Sequence, residues 1–161
     1  MSATHDLNHL RADGTAHMID VSGKQVTARS ATARGRVVLS ESAVAALRGG
    51  TVPKGDALGV ARLAGIQAAK RTPELVPLAH PVAVHAVEVD LVVDDTGVEI
   101  VSTVRTADRT GVEMEALTCV SVAALALVDM IKAVDRAAVI TDIRVMAKSG
   151  GRSGDWERPG L

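Results

Sequence analysis

Two groups of charged residues flank one long apolar segment of the chain, and both contain side chains that transfer protons. Glu113 and Glu115 precede the uncharged stretch 116–128, and Asp129 and Lys132 follow it. Carboxylates and amines are common general acids and bases in enzymes. If the segment is one helix, Glu115 and Asp129 project within about 40° of each other but lie roughly 21 Å apart along its axis. A single chain is therefore not expected to bring both groups to one small substrate.

The same charged residues have a structural explanation, which stays open at this point. Acidic residues in a first helical turn are favoured by the helix dipole. Asp129 and Lys132, three residues apart, share a helix face and can form an ordinary surface ion pair. Glu113 and Glu115, two residues apart, cannot both point into one narrow site on a regular helix. Spacing alone does not separate a catalytic from a structural role.

Basic residues elsewhere in the chain could bind a phosphate. Lys54 lies in the turn-forming run PKGD (53–56), and Lys70 and Arg71 stand at the predicted end of a helix. The segment KSGGRSGD (148–155) combines two basic side chains with glycines, whose backbone N–H groups can approach a phosphate closely. Its spacing differs from that of a Walker-type phosphate loop. A flexible polar tail is the default explanation of this segment.

Several classes of site are not expected from the sequence. No histidine stands at a metal-ligand spacing with a cysteine or carboxylate set, so we expect no zinc site. The motifs GxSxG, GxGxxG and CxxC are missing, which argues against serine hydrolase, dinucleotide and dithiol redox chemistry. His80 precedes Pro81 in a connector, and connectors often carry functional residues. It is the histidine we single out.

Composition indicates one small domain without an aromatic core. The 161 residues carry a net charge of −1, so charge gives no indication of nucleic-acid binding. The single cysteine, Cys119, can form no internal disulfide, which favours a reducing, cytoplasmic location. The uncharged stretch 116–128 is shorter than the roughly 20 residues of a membrane span, so no membrane association is expected. With no Phe, no Tyr and one Trp, the core must be built from small side chains, and this favours further burial in an oligomer.

Hydrophobic patterns predict the elements that position these residues. They predict an extended segment at 17–21, strands at 31–39, 82–94, 98–106 and 139–147, and helices at 41–48, 57–70 and 113–134. A capping box from Thr110 to Glu113 is expected to open the longest helix. This order is the ferredoxin-like split βαβ of α+β domains, an antiparallel sheet with helices on one face. We expect a single domain, 1–161, flexible at 1–12 and 149–161, whose open sheet face another subunit covers.

Five sequence segments together resemble the cyclic pyranopterin monophosphate synthase family, the molybdenum cofactor biosynthesis protein C family. The segments are HMIDVS (17–22), GIQAAKRT (65–72), LAHP (78–81), TGVEMEALT (110–118) and AKSGG (147–151). The resemblance runs from about residue 17 to 155. The combination is far more specific than any one of the motifs.

The resemblance implies a fold, an assembly and a reaction. The fold is ferredoxin-like, and the assembly is a homo-hexamer, a trimer of dimers with inter-subunit active sites. The reaction is that of a lyase converting 3′,8-cyclo-7,8-dihydroguanosine triphosphate to cyclic pyranopterin monophosphate, a pterin, with release of pyrophosphate. No redox cofactor is implied, and Mg²⁺ is considered only as a companion of the triphosphate.

The resemblance also assigns roles to residues, by matching position. Asp129 corresponds to the active-site acid, and Lys54 and Lys132 correspond to acid/base lysines. The implied substrate-binding residues are Leu78, Ala79, His80, Met114 and Glu115, followed by Glu113, Lys24, Arg29, Lys70 and Lys148. Many members of the family have a cysteine where this chain has Ala79. The resemblance therefore implies that a thiol there is not essential, and backbone contact is the expected role.

Two arrangements are expected from these assignments. Lys54, Lys132 and Lys148 are expected to cluster and to hold a polyphosphate. Glu113 and Glu115 of one subunit are expected to meet Asp129 and Lys132 of another across a dimer interface. The alternative is a non-catalytic ferredoxin-like oligomer that binds a phosphorylated ligand, and a third possibility is an inert structural protein.

Overall fold

Nine elements make up the part of the chain that the computed structural model describes, residues 10–160. The strands are β1 (Thr27–Val38), β2 (Val84–Asp94), β3 (Gly97–Asp108), β4 (Val139–Ser149) and β5 (Trp156–Glu157). The helices are α1 (Glu41–Gly49), α2 (Ala57–Ala69), α3 (Thr72–Leu75) and α4 (Glu113–Ile131). The predicted strands and the three longer helices are all present, with ends that shift by a few residues.

The five strands form one antiparallel sheet in the order β2-β3-β1-β4-β5. β3 lies between β1 and β2, which is the split βαβ arrangement, so the predicted α+β fold is confirmed. Burial alternates along β1: Ala31, Ala33 and Val37 are fully buried, whereas Thr32 and Arg34 lie on the other face of the sheet.

One face of the sheet is covered by α2 and α4, and the core lies between these layers. The largest fully buried side chains are Ile100, Leu127, Ile131 and several valines, as the aromatic-poor composition requires. Small residues bring the two helices close together. A Cβ at Gly65 of α2 would stand only 2.9 Å from the carbonyl oxygen of Cys119 in α4.

The apolar character of α4 is that of a core helix. By length and composition it is the one described helix that could cross a membrane. More than half of its most apolar window is buried within the fold, where it packs against α2 and the sheet.

Two local expectations about helix ends are wrong. The predicted capping box does not form: Val112 is the N-cap of α4, and no side chain caps this end. α4 also ends at Ile131 rather than near residue 134. The Ile131 carbonyl accepts from the backbone N–H groups of both Val134, at 2.8 Å, and Asp135, at 3.0 Å, so the chain leaves the helix through a tight turn.

The region around Pro73 and the C-terminal tail contain two short elements that the sequence patterns did not predict. α2 ends at Ala69, and Pro73 lies in the first turn of α3, where a missing N–H costs no hydrogen bond. In the tail, β5 pairs with β4 at Lys148. The flexibility expected for 149–161 stays a prediction, and that expected for 1–12 falls mostly on residues 1–9, outside the described residues.

Candidate functional site

The first cavity lies at the N-terminal end of α4 and has a volume of about 430 Å³. Three parts of the chain meet around it: a segment that precedes β1, the connector before β2, and the loop that leads into α4. Its lining residues are Ile19, Val21, Lys24, Leu78, Ala79, His80, Val82, Thr110, Gly111, Glu113, Met114 and Glu115. Seven predicted substrate-binding residues are among them.

Glu115 is the buried acid of this cavity. Its side chain is only 3 % exposed. Burial raises the pKa of the Glu115 carboxyl above its usual value, and the neighbouring carboxylate of Glu113 raises it further. A carboxyl whose pKa is moved toward neutrality is suited to both giving and taking a proton.

His80 connects two walls of the same cavity. Its Nε2 lies 2.6 Å from the carbonyl oxygen of Ile19, so the Nε2–H donates to that carbonyl. This hydrogen bond holds the segment around Ile19 against the connector that carries Leu78 and Ala79. Ala79 presents no polar side-chain group, which is consistent with the backbone role expected for it.

A second cavity, of about 570 Å³, adjoins the first and shares Lys24 with it. Arg29 lines it from β1. The Arg29 guanidinium donates from Nε to the Asp108 carbonyl at 3.0 Å and from Nη2 to the Arg109 carbonyl at 3.2 Å. Arg109 in turn donates from Nε to the Lys24 carbonyl at 3.0 Å. The end of β3 thus positions both cationic residues.

Lys148 lies on β4 near the first cavity. Its ammonium group stands 3.8 Å from a carboxylate oxygen of Glu113 and donates a hydrogen bond to the hydroxyl of Ser153. Lys148 therefore lies beside Glu113, although the two residues are distant along the chain.

Asp129, Lys54 and Lys132 form a separate group at the C-terminal end of α4. Lys54 Nζ donates to the Asp129 carboxylate at 3.0 Å and to its backbone carbonyl at 2.9 Å. Lys132 Nζ donates to the other carboxylate oxygen at 2.7 Å. These two ammonium groups, Lys132 foremost, lower the pKa of the Asp129 carboxyl below its usual value. A third cavity here, of about 500 Å³, is lined by Lys54, Lys132, Ala133 and Arg136.

The two groups lie at opposite ends of α4, so one expected cluster does not form within a chain. Lys148 pairs with Glu113 at the first turn, whereas Lys54 and Lys132 contact Asp129 at the last. Within one chain these three lysines do not cluster, because nearly the whole length of α4 separates them, and their clustering across subunits stays a prediction. Lys70, also expected in the site, is exposed at the end of α2 and lines none of the three cavities.

Three arginines at these cavities are missing from the sequence-based assignments. Arg152 lines the second cavity, Arg136 lines the third, and Arg109 holds the backbone of Lys24. Arg152 lies in the Gly-rich basic segment that the sequence singles out, so a signal was present for it. Arg109 acts through contacts 80 or more residues away along the chain, which no local pattern reveals. Within residues 10–160, no three His, Cys, Asp or Glu side chains come together as metal ligands do.

Comparison with known proteins gives one consistent result. The sequence profile of the MoaC family matches residues 18–151. A cyclic pyranopterin monophosphate synthase of Nocardioides sp. (strain ATCC BAA-499 / JS614) is 65 % identical over 156 residues, covering 95 % of this chain and 96 % of the relative. A protein of the same name from Streptomyces avermitilis is 63 % identical, covering 94 % and 89 %. Cyclic pyranopterin monophosphate synthase 2 of Mycobacterium bovis is 56 % identical, covering 95 % and 92 %.

Proposed function

The chain belongs to the MoaC family, and on that premise we propose that it is a lyase that forms cyclic pyranopterin monophosphate. The substrate is 3′,8-cyclo-7,8-dihydroguanosine triphosphate, and pyrophosphate is the second product. This reaction belongs to molybdenum cofactor biosynthesis. The observation that supports the assignment most is that Leu78, Ala79, His80, Met114 and Glu115 all line one cavity.

The first cavity suits the ring system of such a substrate. Apolar side chains such as Ile19, Val21 and Leu78 form much of its wall, and two carboxyl groups are placed among them. Opening and rebuilding a purine-derived ring needs proton transfer at several centres. Glu115, with its raised pKa, is the group we assign to such transfers on this side of the site.

Asp129 has a different role at the other end of α4. Its lowered pKa keeps it a carboxylate, and both of its oxygens accept hydrogen bonds from lysines. We assign to Asp129 the positioning of Lys54 and Lys132 as acid and base. The lysines and Glu115 must then serve one substrate, which requires a second copy of the chain.

The outer face of α4 offers a way to bring the two ends together. The face of α4 that α2 and the sheet leave uncovered carries four residues at helical spacing, Met114, Ser121, Leu125 and Lys132. Leu125 is 61 % exposed. Leu63 of α2 is a further exposed apolar side chain, 68 % exposed. Exposed apolar surface of this kind is typical of subunit contacts.

A two-fold axis through this surface would complete the site. Met114 and Lys132 are equally distant along α4 from the midpoint between Ser121 and Leu125. Two antiparallel α4 helices crossing there would place Lys132 of one copy beside Met114 of a second copy, in two equivalent sites. We propose that this dimer is the unit of the homo-hexamer, a trimer of dimers.

The remaining proposals concern cofactors and location. No chemical step in the proposed reaction is a net oxidation or reduction, so we propose that the enzyme uses no redox cofactor and that Mg²⁺ enters only with the triphosphate. A cytoplasmic location follows from the nucleotide-derived substrate and the single, buried free cysteine.

A turnover assay tests the proposed function. Purified protein given the cyclic dihydro-GTP substrate should release pyrophosphate and form the pyranopterin, both without and with added Mg²⁺. Asp129→Asn should lower kcat by about 100-fold or more, because the lysines lose the carboxylate that positions them. Arg48→Ala, which removes an exposed arginine on α1, is the matched control and should retain full activity.

The assay also separates the alternatives. Substrate binding without pyrophosphate release would identify a non-catalytic ligand-binding protein instead. Neither binding nor turnover would identify an inert structural protein.

A further inference from the structure

The second cavity has the composition of an anion-binding site. Its lining residues are Lys24, Gln25, Thr27, Arg29, Gly151, Arg152 and Ser153. Three of these side chains are cationic and none is acidic. The cavity opens beside the first one, because Lys24 lines both.

The other two cavities are less suited to a polyphosphate. Glu113 and Glu115 line the first cavity and would repel phosphate oxygens while ionised. Lys54 and Lys132 of the third cavity already share the carboxylate of Asp129. Among residues 10–160, none of the three cationic residues of the second cavity forms an ion pair with a carboxylate, whereas two of the three in the third cavity do.

Several hydrogen-bond donors of the second cavity have no protein acceptor. Arg29 uses Nε and Nη2 on backbone carbonyls, which leaves the N–H groups of Nη1. The Thr27 hydroxyl is buried and has no hydrogen-bond partner among the described residues. The Ser153 oxygen accepts a hydrogen bond from Lys148, so the Ser153 hydroxyl proton remains available to an anion.

Glycine allows the tail to close over this cavity. Gly150 and Gly151 both have positive φ angles, +82° and +77°. A Cβ at Gly151 would overlap Nη1 of Arg29, so the backbone lies close against the guanidinium, and the positive φ angle favours glycine here. In the part of the chain that the structure describes, no backbone acceptor takes the N–H groups of Arg152 and Ser153. Successive free N–H groups beside glycines are typical of phosphate-binding loops.

We propose that the second cavity binds the terminal two phosphates of the substrate, the part that leaves as pyrophosphate, and that Arg152 and Ser153 are ligands of these phosphates. The inference rests on the proposed function, which supplies a triphosphate. The ring then occupies the first cavity, and Lys24 lies where the two cavities join. A hydroxyl oxygen of the substrate bonds to the α-phosphorus, loses its proton and closes the cyclic phosphate, while the bond from that phosphorus to the bridging oxygen breaks. Cations around the leaving pyrophosphate stabilise the charge that it gains in this step.

Binding of inorganic pyrophosphate, measured by isothermal titration calorimetry, tests the subsite without requiring turnover. Arg152→Ala should weaken pyrophosphate binding by about tenfold or more, because a charge-assisted hydrogen bond is lost. Arg152→Lys should recover part of the affinity, and Ser153→Ala should lower it by a smaller factor. Arg48→Ala removes the same charge from an exposed ion pair on α1 and should leave the affinity unchanged.

Steady-state kinetics give the second readout. Arg152→Ala should raise KM for the triphosphate substrate and raise the inhibition constant of pyrophosphate by similar factors. Arg152 is exposed in a loop, and circular dichroism together with the oligomeric state should match the wild-type protein.

The outcomes for the subsite and for the proposed function are distinguishable. If Arg152→Ala turns over normally and its affinity for pyrophosphate is unchanged, the proposed subsite is wrong and the proposed function is still supported. Loss of pyrophosphate affinity in Arg136→Ala, but not in Arg152→Ala, would place the phosphates in the third cavity and likewise overturn the subsite. Absence of turnover with Arg152-dependent pyrophosphate binding would support the subsite and reject the function.

Discussion

Glu115 is a buried carboxyl whose protonation must affect stability as well as proton transfer. Burial raises its pKa in the folded protein. Between the ordinary pKa of a glutamate and this raised value, the folded state binds more protons than the unfolded state. The free energy of unfolding therefore falls as the pH rises through that window.

This sign gives a prediction for Glu115→Gln. The amide carries no charge, so the variant should gain stability relative to wild type as the pH rises from about 4.5 to 8, by about 1.4 kcal/mol for each unit by which folding raises the pKa. Urea denaturation at fixed protein concentration across this range measures the difference. Glu74→Gln removes an exposed carboxylate and is the control. The prediction is contradicted if the difference in free energy of unfolding between the wild-type protein and Glu115→Gln does not change with pH.

Sequence resemblance assigns a role to each residue separately. Which of these residues lie together in space depends on contacts between distant parts of the chain. The motifs assigned Leu78, His80 and Glu115 to one site, and in the structure all three line one cavity. They did not show that Lys148 lies with Glu113 rather than with Lys54. That pairing depends on how β4 and α4 pack in three dimensions, which no spacing along the chain contains.

At the scale of elements, the contact between α2 and α4 determines where Lys54 meets Asp129. Lys54 precedes α2 and Asp129 belongs to α4, so the separation of the two helices sets the position of this ion pair. At Gly65 the two helices lie close together, with this residue facing the carbonyl of Cys119 and the side chain of Ala123.

Gly65→Ala should reverse the usual effect of such a substitution. An alanine inside a helix is normally more stable than glycine by about 1 kcal/mol. Here the added methyl group would stand 2.9 Å from a backbone oxygen, so the helices must separate, at a cost of about 1–3 kcal/mol. Thermal unfolding followed by circular dichroism should show a lower Tm and urea titration a lower free energy of unfolding.

Gly49→Ala is the control for this prediction. Gly49 is also helical, and the nearest atoms to an added Cβ are 3.8 Å away. This variant should be neutral or slightly stabilised. Equal effects of the two substitutions would show that helix separation is not what limits position 65.

Alternating burial and helical periodicity were enough to predict these elements, but not how they begin and end. Strand β1 and helix α4 follow strong patterns of period two and period 3.6, which reflect burial on one face. The capping box failed because Val112, not Thr110, is the N-cap. Pro73 opens α3 instead of only ending α2, since a proline is tolerated both after one helix and in the first turn of the next.

At the scale of the whole molecule, the separation of the two charged groups makes the assembly part of the chemistry. If each active site combines Glu115 of one copy with Asp129 of another, two different inactive chains can restore one intact site per mixed dimer. Random pairing of equal amounts of Asp129→Ala and Glu115→Ala chains, each inactive alone, should then recover about a quarter of wild-type activity.

A variant of the contact surface provides the control for this mixing experiment. Adding Leu125→Glu to both chains places a charge at the centre of the proposed interface and should abolish recovery, with smaller species in light scattering. Val92→Glu, on the opposite side of the sheet, should leave pairing of two chains intact. The original mixture, without Leu125→Glu, could also recover no activity although its subunits are shown to exchange. That result would mean that Glu115 and Asp129 do not share a site.

The single aromatic residue has an optical consequence. Trp156 lies on β5, paired with Lys148 and covered by the Arg158 guanidinium at 5.6 Å, and the chain has no Tyr or Phe. Intrinsic fluorescence therefore reports on the tail beside the second cavity and contains no signal from the core. Ellipticity at 222 nm, by contrast, follows the helices. If the tail detaches from β4 before the core unfolds, the two signals will give separate transitions, and emission alone will understate the stability of the fold.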